Sequence, residues 1–244
     1  MIMSNNANVK TVLFQTGAVS GKFRLRKLEY GAGEKTTLTV HKESKCVFSV
    51  DVAKCYFSPR LIHERMRVAQ TVKDDEVIVN MFAGVGCYSI LIAKYSNARK
   101  VYSIDINPVA VEYMKENVRT NRLFGIVVPI LGDTKEIIEK RLHHVADRVL
   151  MPLPEKALEY LPYALLALKE NGGTVHYYDF VHAKKAEDPV EKVKLKVAEK
   201  LLTHGFSFDI TYGRVVRETG PNWHQVVLDI QMVAKRGQIA DSQC

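Results

Sequence analysis

The chain has 244 residues, of which 47% are hydrophobic and 25% charged, a composition that excludes a disordered or fibrous protein and favours a soluble globular one. The formal net charge of +8 favours a polyanionic partner, nucleic acid first, over a protein that is merely basic. No apolar run reaches the length of a membrane span and the N-terminus lacks a signal-peptide core, so we expect a cytoplasmic protein.

The cysteines form neither a CxxC pair nor a metal-ligand spacing. They are Cys46, Cys55, Cys87 and Cys244. We interpret them as reduced thiols of a cytosolic protein and predict no metal site.

Residues 9–52 alternate apolar and polar side chains between turn signals, which predicts a small antiparallel sheet with a hairpin turning at residues 42–45. We place residues 1–55 in a small β-rich domain. Its surface is basic at Lys10, Lys22, Arg24, Arg26, Lys27 and Lys35. Such a surface contacts RNA or is simply solvated, and the sequence leaves both open.

Residues 61–72 predict a helix that leads directly into a buried strand, so its start should lie near the mouth of a ligand site. Glu64 and Arg65 stand side by side in this helix. They are either site residues or a plain surface ion pair.

The most informative stretch, residues 77–107, predicts a strand, a glycine turn, a helix and a second strand that ends at Asp105. Gly84 and Gly86 let the backbone approach a ligand closely, and Asp105, about 20 residues later, can accept both hydroxyls of a ribose. Ser89 stands where the dinucleotide fingerprint has its third glycine. This favours a nucleoside without a pyrophosphate, such as S-adenosylmethionine, over a dinucleotide.

Three further strands alternate with helices after Asp105. The next strand ends at Asp133, which can accept a hydrogen bond from an adenine amino group or can cap the following helix. The strand over residues 146–151 stops at Pro152, and strand ends in this sheet class face the ligand crevice.

The chain closes with two predicted strands joined by a loop over residues 213–224 that carries Arg214, Arg217, Trp223 and His224. Arginines beside an aromatic ring on a loop suit RNA contact, although a plain basic hairpin loop is the alternative. The element order predicts a doubly wound α/β sheet with a terminal antiparallel hairpin in residues 56–244, similar to class I Rossmann-like methyltransferases.

Several stretches, taken in order and covering nearly the whole chain, resemble the archaeal and eukaryotic tRNA guanine-37 N1-methyltransferases and their wyosine-pathway relatives. They are GKFRLRKLEYGAGE, HKE, DVAKCYFSPRLIHERMR, NMFAGVGCYSI, YSIDINPVAVEYMKENVRTN, GD at 132–133, DRVLMPLP, GGTVHYYDF and GRVVRE. The tetrad MPLP at residues 151–154 resembles the archaeal subgroup that works on tRNA-Phe in wyosine biosynthesis.

The resemblance implies S-adenosylmethionine as cofactor and the purine at position 37 of tRNA as substrate. It implies that Glu64 is the general base on guanine N1 and that Arg24 stabilises charge on the base carbonyl, with Pro152 in the catalytic turn. The cofactor residues that it implies are Arg65, Phe82, Gly84, Gly86, Asp105, Ile106, Asp133, Thr134 and Pro152. The tRNA-contacting residues are Arg24, Tyr56, Arg60, Arg214 and Arg217.

The chain departs from the family pattern in three respects. Asn80 replaces an aspartate and Cys87 replaces a proline, both beside the expected cofactor site. The family also commonly carries a small N-terminal domain that reads the outer corner of tRNA, and we expect this chain to lack that domain because the sequence starts late relative to the family pattern. We therefore expect weaker tRNA binding. Separately, we expect a monomer.

Three functions remain open. The first is a methyltransferase that acts on carbon 7 of 4-demethylwyosine to give isowyosine, on N1 of guanosine, or on both. The second transfers the aminocarboxypropyl group of the same cofactor, which the MPLP turn disfavours. The third is a non-catalytic RNA-binding protein, which the intact glycines and strand-end acids disfavour.

Overall fold

A computed structural model describes residues 2–203 and 207–233. The N-terminal part begins with the single turn α1 (Ile2–Asn5) and forms two separate antiparallel pairs. β1 (Thr11–Gln15) pairs with β2 (Leu28–Gly33), and β3 (Leu38–Glu43) pairs with β4 (Cys46–Asp51). The prediction of one small sheet was wrong in this respect, but the hairpin turn lies within residues 42–45 as expected.

The helices and strands of the larger part follow in strict alternation until the last two strands. They are α2 (Ile62–Thr71), β5 (Val77–Asn80), α3 (Cys87–Tyr95), β6 (Lys100–Asp105), α4 (Pro108–Thr120), β7 (Val127–Leu131), α5 (Thr134–Arg141), β8 (Arg148–Met151), α6 (Ala157–Ala167), β9 (Gly172–His182), α7 (Pro189–Thr203), β10 (Ser207–Gly220) and β11 (Trp223–Val233).

One seven-stranded sheet organises this part, with the order β10-β11-β9-β8-β5-β6-β7. β5 to β9 are mutually parallel, while β11 runs antiparallel to β9 and to β10. The chain moves outward from β5 through β6 to β7 and then returns to β8 on the other side of β5. This reversal opens a crevice at the carboxyl ends of β5 and β8, and the predicted doubly wound fold is confirmed.

The parallel strands are apolar because both of their faces are covered. All four residues of β5 and all four of β8 are buried, and two hydrophobic clusters fill the two sides of the sheet. Burial on both faces explains why these strands read as continuous apolar runs rather than as alternating ones.

The hairpin β3–β4 is tied to the larger part by Asn117 of α4 and by Asn121, which caps the C-terminus of this helix. Asn117 Oδ1 accepts from Ser49 N at 2.7 Å and Asn121 Oδ1 accepts from Val47 N at 2.9 Å, while both side-chain amides donate back to the carbonyls of the same two strand residues. Four helical residues rise about 6 Å, close to the repeat of two strand residues, so the two spacings match. The division at residue 55 stays a prediction.

The prediction of a loop over residues 213–224 is wrong. Strand β10 continues to Gly220, and β11 resumes at Trp223, so only Pro221 and Asn222 turn the chain. Three register shifts interrupt the pairing of β10 with β11. These irregularities break the two-residue alternation by which a strand is recognised, so Arg214 and Arg217 looked like loop residues.

Cys46, Cys55 and Cys87 are buried free thiols, and burial raises the pKa of both Cys55 and Cys87 to about 12. Cys244 lies outside the described residues. In the described ranges, no helix combines the length and the apolar character needed to cross a bilayer.

Candidate active site

A cavity of about 530 Å³ opens at the carboxyl ends of the parallel strands. The strand ends supply one wall, and the predicted residues on it are Phe82, Asp105, Ile106, Asp133, Thr134 and Pro152. The rest of the lining includes Arg24, Tyr56, Phe180, Arg217 and Gln225. We call these two surfaces the strand-end wall and the arginine wall. The volume is typical of a site for a small molecule.

The glycine turn is built as the sequence predicts. Gly84 has φ +57° and Gly86 has φ +92°, backbone angles that a side chain disfavours. A Cβ on Gly86 would also lie 2.9 Å from Met114 Cγ. The Gly84 amide donates to Asp105 Oδ2 at 2.6 Å, so the turn and the strand-end acid are joined.

Asp105 is held by the backbone alone. Besides the Gly84 bond, its Oδ1 accepts from Asn107 N at 2.9 Å. Burial raises the pKa of Asp105, and the backbone hydrogen bonds offset this only in part. A carboxylate has about four acceptor positions, so Asp105 keeps acceptor capacity for a ribose hydroxyl beside these backbone bonds.

Asp133 is the N-cap of α5, since its Oδ1 accepts from Lys135 N at 3.0 Å. The capping interpretation is therefore correct, and contact with an adenine through the other oxygen stays a prediction. The neighbouring Thr134 donates to Met81 O at 2.5 Å. Phe82 meets the ring of Tyr160 edge to face at 5.1 Å, which adds an aromatic side to this wall that the sequence did not reveal.

Neither of the two departures near the glycine turn lines the cavity. Asn80 is fully buried, and its amide donates to the hydroxyl of Ser89 at 3.1 Å. Ser103 donates to the same hydroxyl at 2.7 Å. Cys87 is buried at the first position of α3. None of these side chains lines the cavity, so their replacement acts on the support of the turn.

The arginine wall surrounds Tyr56 with cations. The Arg24 and Arg26 guanidinium groups lie 4.9 Å and 5.4 Å from the Tyr56 ring centroid, and Arg217 Nη2 lies 3.4 Å from its hydroxyl. Burial would raise the pKa of Tyr56, but the hydrogen bond and charge of Arg217 and the charges of Arg24 and Arg26 outweigh it and lower the pKa. This wall favours negative charge on whatever binds against it.

Arg24 crosses the mouth of the cavity. It has φ +56° and forms an ion pair with Glu155, which follows Pro154 in the turn after β8. Arg217 Nε also donates to the buried Gln225 at 2.7 Å. Glu155 and Gln225 were missed in the sequence because polar residues near a turn or inside a strand carry no signal of their own.

Glu64 is buried and lies one turn of α2 behind Leu61, which lines the cavity. Its carboxylate accepts from Tyr178 Oη at 2.8 Å, Arg67 Nη2 at 2.8 Å and Arg214 Nη2 at 2.6 Å. Burial would raise the pKa of Glu64, but these hydrogen bonds and the charge of Arg67 lower it. Glu64 therefore carries its charge behind the cavity.

Arg65 forms a separate buried pair with Glu43, at 2.7 Å from Nε to Oε1 and 2.6 Å from Nη2 to Oε2. The alternative of a Glu64–Arg65 surface pair is therefore wrong. The Arg65 guanidinium does not line the cavity, and its contact with a cofactor stays a prediction. Arg60 is exposed in the short turn Pro59–Leu61 and also lies off the cavity.

A buried polar chain that the sequence did not reveal continues behind Glu64. Arg67 Nη1 donates to Asp229 Oδ2 at 2.6 Å, and Asp229 Oδ1 lies 2.7 Å from His176 Nδ1. His176 Nε2 lies 2.7 Å from Arg148 Nη1. Because arginine only donates, Nε2 accepts and the proton is on Nδ1. Burial lowers the pKa of His176, which keeps it neutral.

Known proteins are similar to this chain in sequence and in fold. The profile of the TRM5/TYW2 methyltransferase domain matches residues 39–204. The tRNA (guanine(37)-N(1))-methyltransferase Trm5b of Pyrococcus abyssi is 39% identical over 95% of this chain and 66% of that protein. The tRNA 4-demethylwyosine(37)-methyltransferase Taw21 of Saccharolobus solfataricus is 40% identical over 94% of this chain and 82% of that protein. The tRNA(Phe) (4-demethylwyosine(37)-C(7)) aminocarboxypropyltransferase of Methanocaldococcus jannaschii is 39% identical over 89% and 84%.

Solved structures agree with these relatives. The complex of aTrm5 with tRNALeu superposes with a TM-score of 0.81 at 36% identity, over 94% of this chain and 63% of that one. M. jannaschii TYW2 in complex with AdoMet superposes with a TM-score of 0.72 at 35% identity, over 85% of this chain and 91% of that one. The chain thus spans about two thirds of the Trm5-type relatives, and its identity to the three kinds of enzyme is nearly equal.

Proposed function

Because the chain belongs to the TRM5/TYW2 methyltransferase family, we propose that it is an S-adenosylmethionine-dependent methyltransferase that modifies the purine at position 37 of tRNA. One observation carries this proposal: a single cavity joins a strand-end wall of nucleoside-binding type to a wall of arginines. The first wall suits the cofactor, and the second suits a base delivered by a polyanion. We further propose a cytoplasmic monomer.

The residues present fit S-adenosylmethionine, which supplies an electrophilic methyl group when it is bound. Gly84 leaves room for a close approach, since the nearest atom to a Cβ there would be Tyr56 O at 3.8 Å. Asp105 would take the ribose hydroxyls, and Asp133 and Thr134 would border the adenine beside Phe82 and Ile106. Pro152 would face the reacting end and exclude water from it.

The arginine wall would receive the target base, splayed out of the anticodon loop. Arg24 lies over Tyr56 and would stabilise charge that develops on the base carbonyl. Arg217, beside the Tyr56 hydroxyl, would hold the base or its phosphate. The exposed Arg60 and the basic β1–β2 surface would contact the RNA backbone outside the cavity.

Glu64 would act as the general base in N1 methylation. The N1 proton would pass to the Glu64 carboxylate, N1 would bond to the methyl carbon, and the methyl–sulfur bond would break. The lowered pKa keeps the carboxylate ionised before the reaction. Its place one helical turn behind Leu61 requires the base to enter deeply, between α2 and β10.

We infer that methylation of carbon 7 of 4-demethylwyosine, giving isowyosine, is the principal activity, with N1 methylation of guanosine as a second one. The MPLP turn supports this, since Pro152, Leu153 and Pro154 all line the cavity. Similarity to Taw21 supports it as well. Transfer of the aminocarboxypropyl group is the second candidate, because an enzyme with that name is 39% identical.

One experiment separates these activities. The protein is incubated with methyl-labelled S-adenosylmethionine and tRNA-Phe carrying either guanosine or 4-demethylwyosine at position 37, and the nucleosides are then identified. Label in both tRNAs supports two activities, and label in the tricyclic base alone supports the isowyosine activity. Unlabelled product with methylthioadenosine as the spent cofactor identifies aminocarboxypropyl transfer. Cofactor binding without any product contradicts catalysis on these substrates.

A further inference from the structure

Two arginines hold Glu64, and they are held very differently. Arg67 makes hydrogen bonds to both Glu64 and Asp229 and stacks on Tyr212 at 4.5 Å. Arg214 reaches Glu64 Oε2 through Nη2, and its side chain is 36% exposed. Its buried Nε has no hydrogen-bond partner among the described residues. Arg67 is therefore fixed on several sides, whereas Arg214 is attached at one point.

A bulge in β10 brings Arg214 to this position. Arg214 lies opposite Val227 and Arg217 opposite Gln225, with the register shift between Val215 and Arg217. Without the extra residue, two side chains three positions apart would point to opposite faces of the sheet. The bulge puts both arginines on the sheet face that carries Tyr178 and packs against Glu64 of α2, with Arg214 behind the cavity and Arg217 in its lining.

The Arg214 contact conflicts with the work proposed for Glu64. Oε1 accepts from Tyr178 and Arg67, whereas Oε2 accepts from Arg67 Nε at 3.1 Å and from Arg214 at the shorter distance of 2.6 Å. A guanidinium on Oε2 occupies the oxygen that would take a substrate proton and makes it less basic. The base can act fully only after this cation has moved.

Phosphate is the group to which Arg214 would move. Guanidinium binds phosphate oxygens through two parallel hydrogen bonds, and RNA brings phosphates to a surface that already carries Arg217. The partly exposed side chain and its unpartnered Nε leave donors ready for such a contact.

We propose that Arg214 is an exchangeable cap on Glu64, which holds the carboxylate in the free protein and transfers to an RNA phosphate when the substrate binds. This inference rests on the proposed function. The general base is thereby released only in the complex, so RNA binding and proton abstraction are coupled through one side chain. Arg214 acts through Glu64 and is a positioning residue.

The groups that face Glu64 set the expected pH behaviour. They are Arg67 on α2, Tyr88 on α3, Tyr178 on β9 and Arg214 on β10. Asp229 on β11 and His176 on β9 lie behind Arg67 and act on Glu64 only through it. Only Arg214 leaves in the proposed step. The Glu64 pKa should therefore be lower in the free protein than in the RNA complex, because the complex has lost one adjacent cation.

The first test compares the parent with Arg214→Gln, using Arg99→Gln as the control with the same loss of charge, since Arg99 lies at the opposite end of the sheet in an exposed pair with Asp75. The pH profile of kcat/KM reports the free protein and that of kcat the complex. In the parent, the acid limb of kcat/KM should lie at lower pH than that of kcat. In Arg214→Gln the acid limbs of the two profiles should converge, and KM for tRNA should rise. The plot of the logarithm of the tRNA binding constant against the logarithm of the salt concentration should become less steep by about 0.7 to 0.9. We expect kcat to stay within about twofold.

Coincident limbs in the parent, or a kcat loss in Arg214→Gln at unchanged KM, would overturn the proposal. A second measurement does not depend on turnover: the Glu64 carboxyl is followed by carbon-13 NMR, assigned with Glu64→Gln, with and without a tRNA-Phe anticodon stem-loop. RNA should raise the Glu64 titration midpoint in the parent but not in Arg214→Gln. A midpoint that RNA leaves unchanged refutes the cap even if methylation occurs, and a midpoint that rises without methylation refutes only the proposed reaction.

Discussion

The two walls of the cavity are stabilised in opposite ways. On the strand-end wall, Asp105 and Asp133 are each fixed by backbone N–H groups of adjacent residues or of the glycine turn. On the arginine wall, Arg24 and Arg217 are held by side chains. Glu155 and Tyr56 lie more than a hundred residues from the arginine that each one contacts, and Gln225 lies on the neighbouring strand β11. The first wall is organised before any ligand binds, whereas the second depends on charge pairs that a polyanionic substrate can replace.

The largest effect is expected from Glu64→Gln, which tests whether the buried carboxylate behind the arginine wall acts as the general base. N1 methylation should fall by about 10² to 10⁴, the usual contribution of a general base, while S-adenosylmethionine binding stays near normal. Single-turnover methylation and calorimetry measure the two quantities. Glu112→Gln, in an exposed pair with Lys115, is the control. A variant that methylates guanosine at the parent rate would show that Glu64 is not the base.

Asp229→Asn tests the rigid support of that wall. Replacing the carboxylate leaves Arg67 and His176 without their buried partner, so the free energy of unfolding should fall by about 3 kcal/mol at pH 7. The arginine and histidine contacts lower the pKa of Asp229 despite its burial, so its stabilisation is present above the unfolded pKa of about 3.9 and is lost as the pH falls through the folded value. Urea titrations from pH 3 to pH 7 should show a flatter profile for the variant. Equal slopes for both proteins would argue against this role.

Asp105→Asn tests the strand-end wall. An asparagine can accept through only one atom, so the bond from Gly84 or from Asn107 is lost. Binding of S-adenosylmethionine should weaken by about 2 kcal/mol, measured by calorimetry. Asp133→Asn keeps a capping oxygen and serves as the matched comparison, with a loss below about 1 kcal/mol. A larger loss for Asp133→Asn would reverse the assignment of the two acids.

The smallest effect is expected from Glu155→Gln, which releases Arg24 from its partner at the cavity mouth. The pair is partly exposed, so it contributes about 1 kcal/mol or less. If Arg24 must leave Glu155 to meet the substrate, KM for tRNA should fall by up to about threefold at low salt, with the cofactor affinity unchanged. A rise in KM would mean that Glu155 positions Arg24 for the substrate.

The strand-end wall could be predicted because its signals are local. The apolar runs of β5 and β6, the positive-φ glycines and the acid at a strand end all lie within about 30 residues. One short stretch of sequence therefore predicts the strands, the turn and the acid together. The family resemblance was confirmed, and it implies cofactor contacts for these same residues. The capping role of Asp133 was weighed correctly as an alternative.

The arginine wall could not be predicted because its contacts join distant segments. Glu64 meets Tyr178 and Arg214, which are more than a hundred residues away, and Arg65 meets Glu43 rather than its neighbour. A bulge is one extra residue without a composition signal, so the sheet face of Arg214 was hidden. His176 and Asp229 were the usable signal in the sequence. A charged or polar residue within a buried strand needs a partner, so both residues predict a buried polar contact.

Asn117 and Asn121 form hydrogen bonds to β4 that we call the asparagine clamp. This clamp also affects whether one molecule associates with another. An unpaired strand edge invites pairing with another chain, and β4 would have such an edge on the side away from β3. Asn117 and Asn121 satisfy its donors and acceptors at Ser49 and Val47. The clamp therefore protects the hairpin from edge-to-edge aggregation at this edge, and replacing both asparagines by alanine would expose it to intermolecular strand pairing.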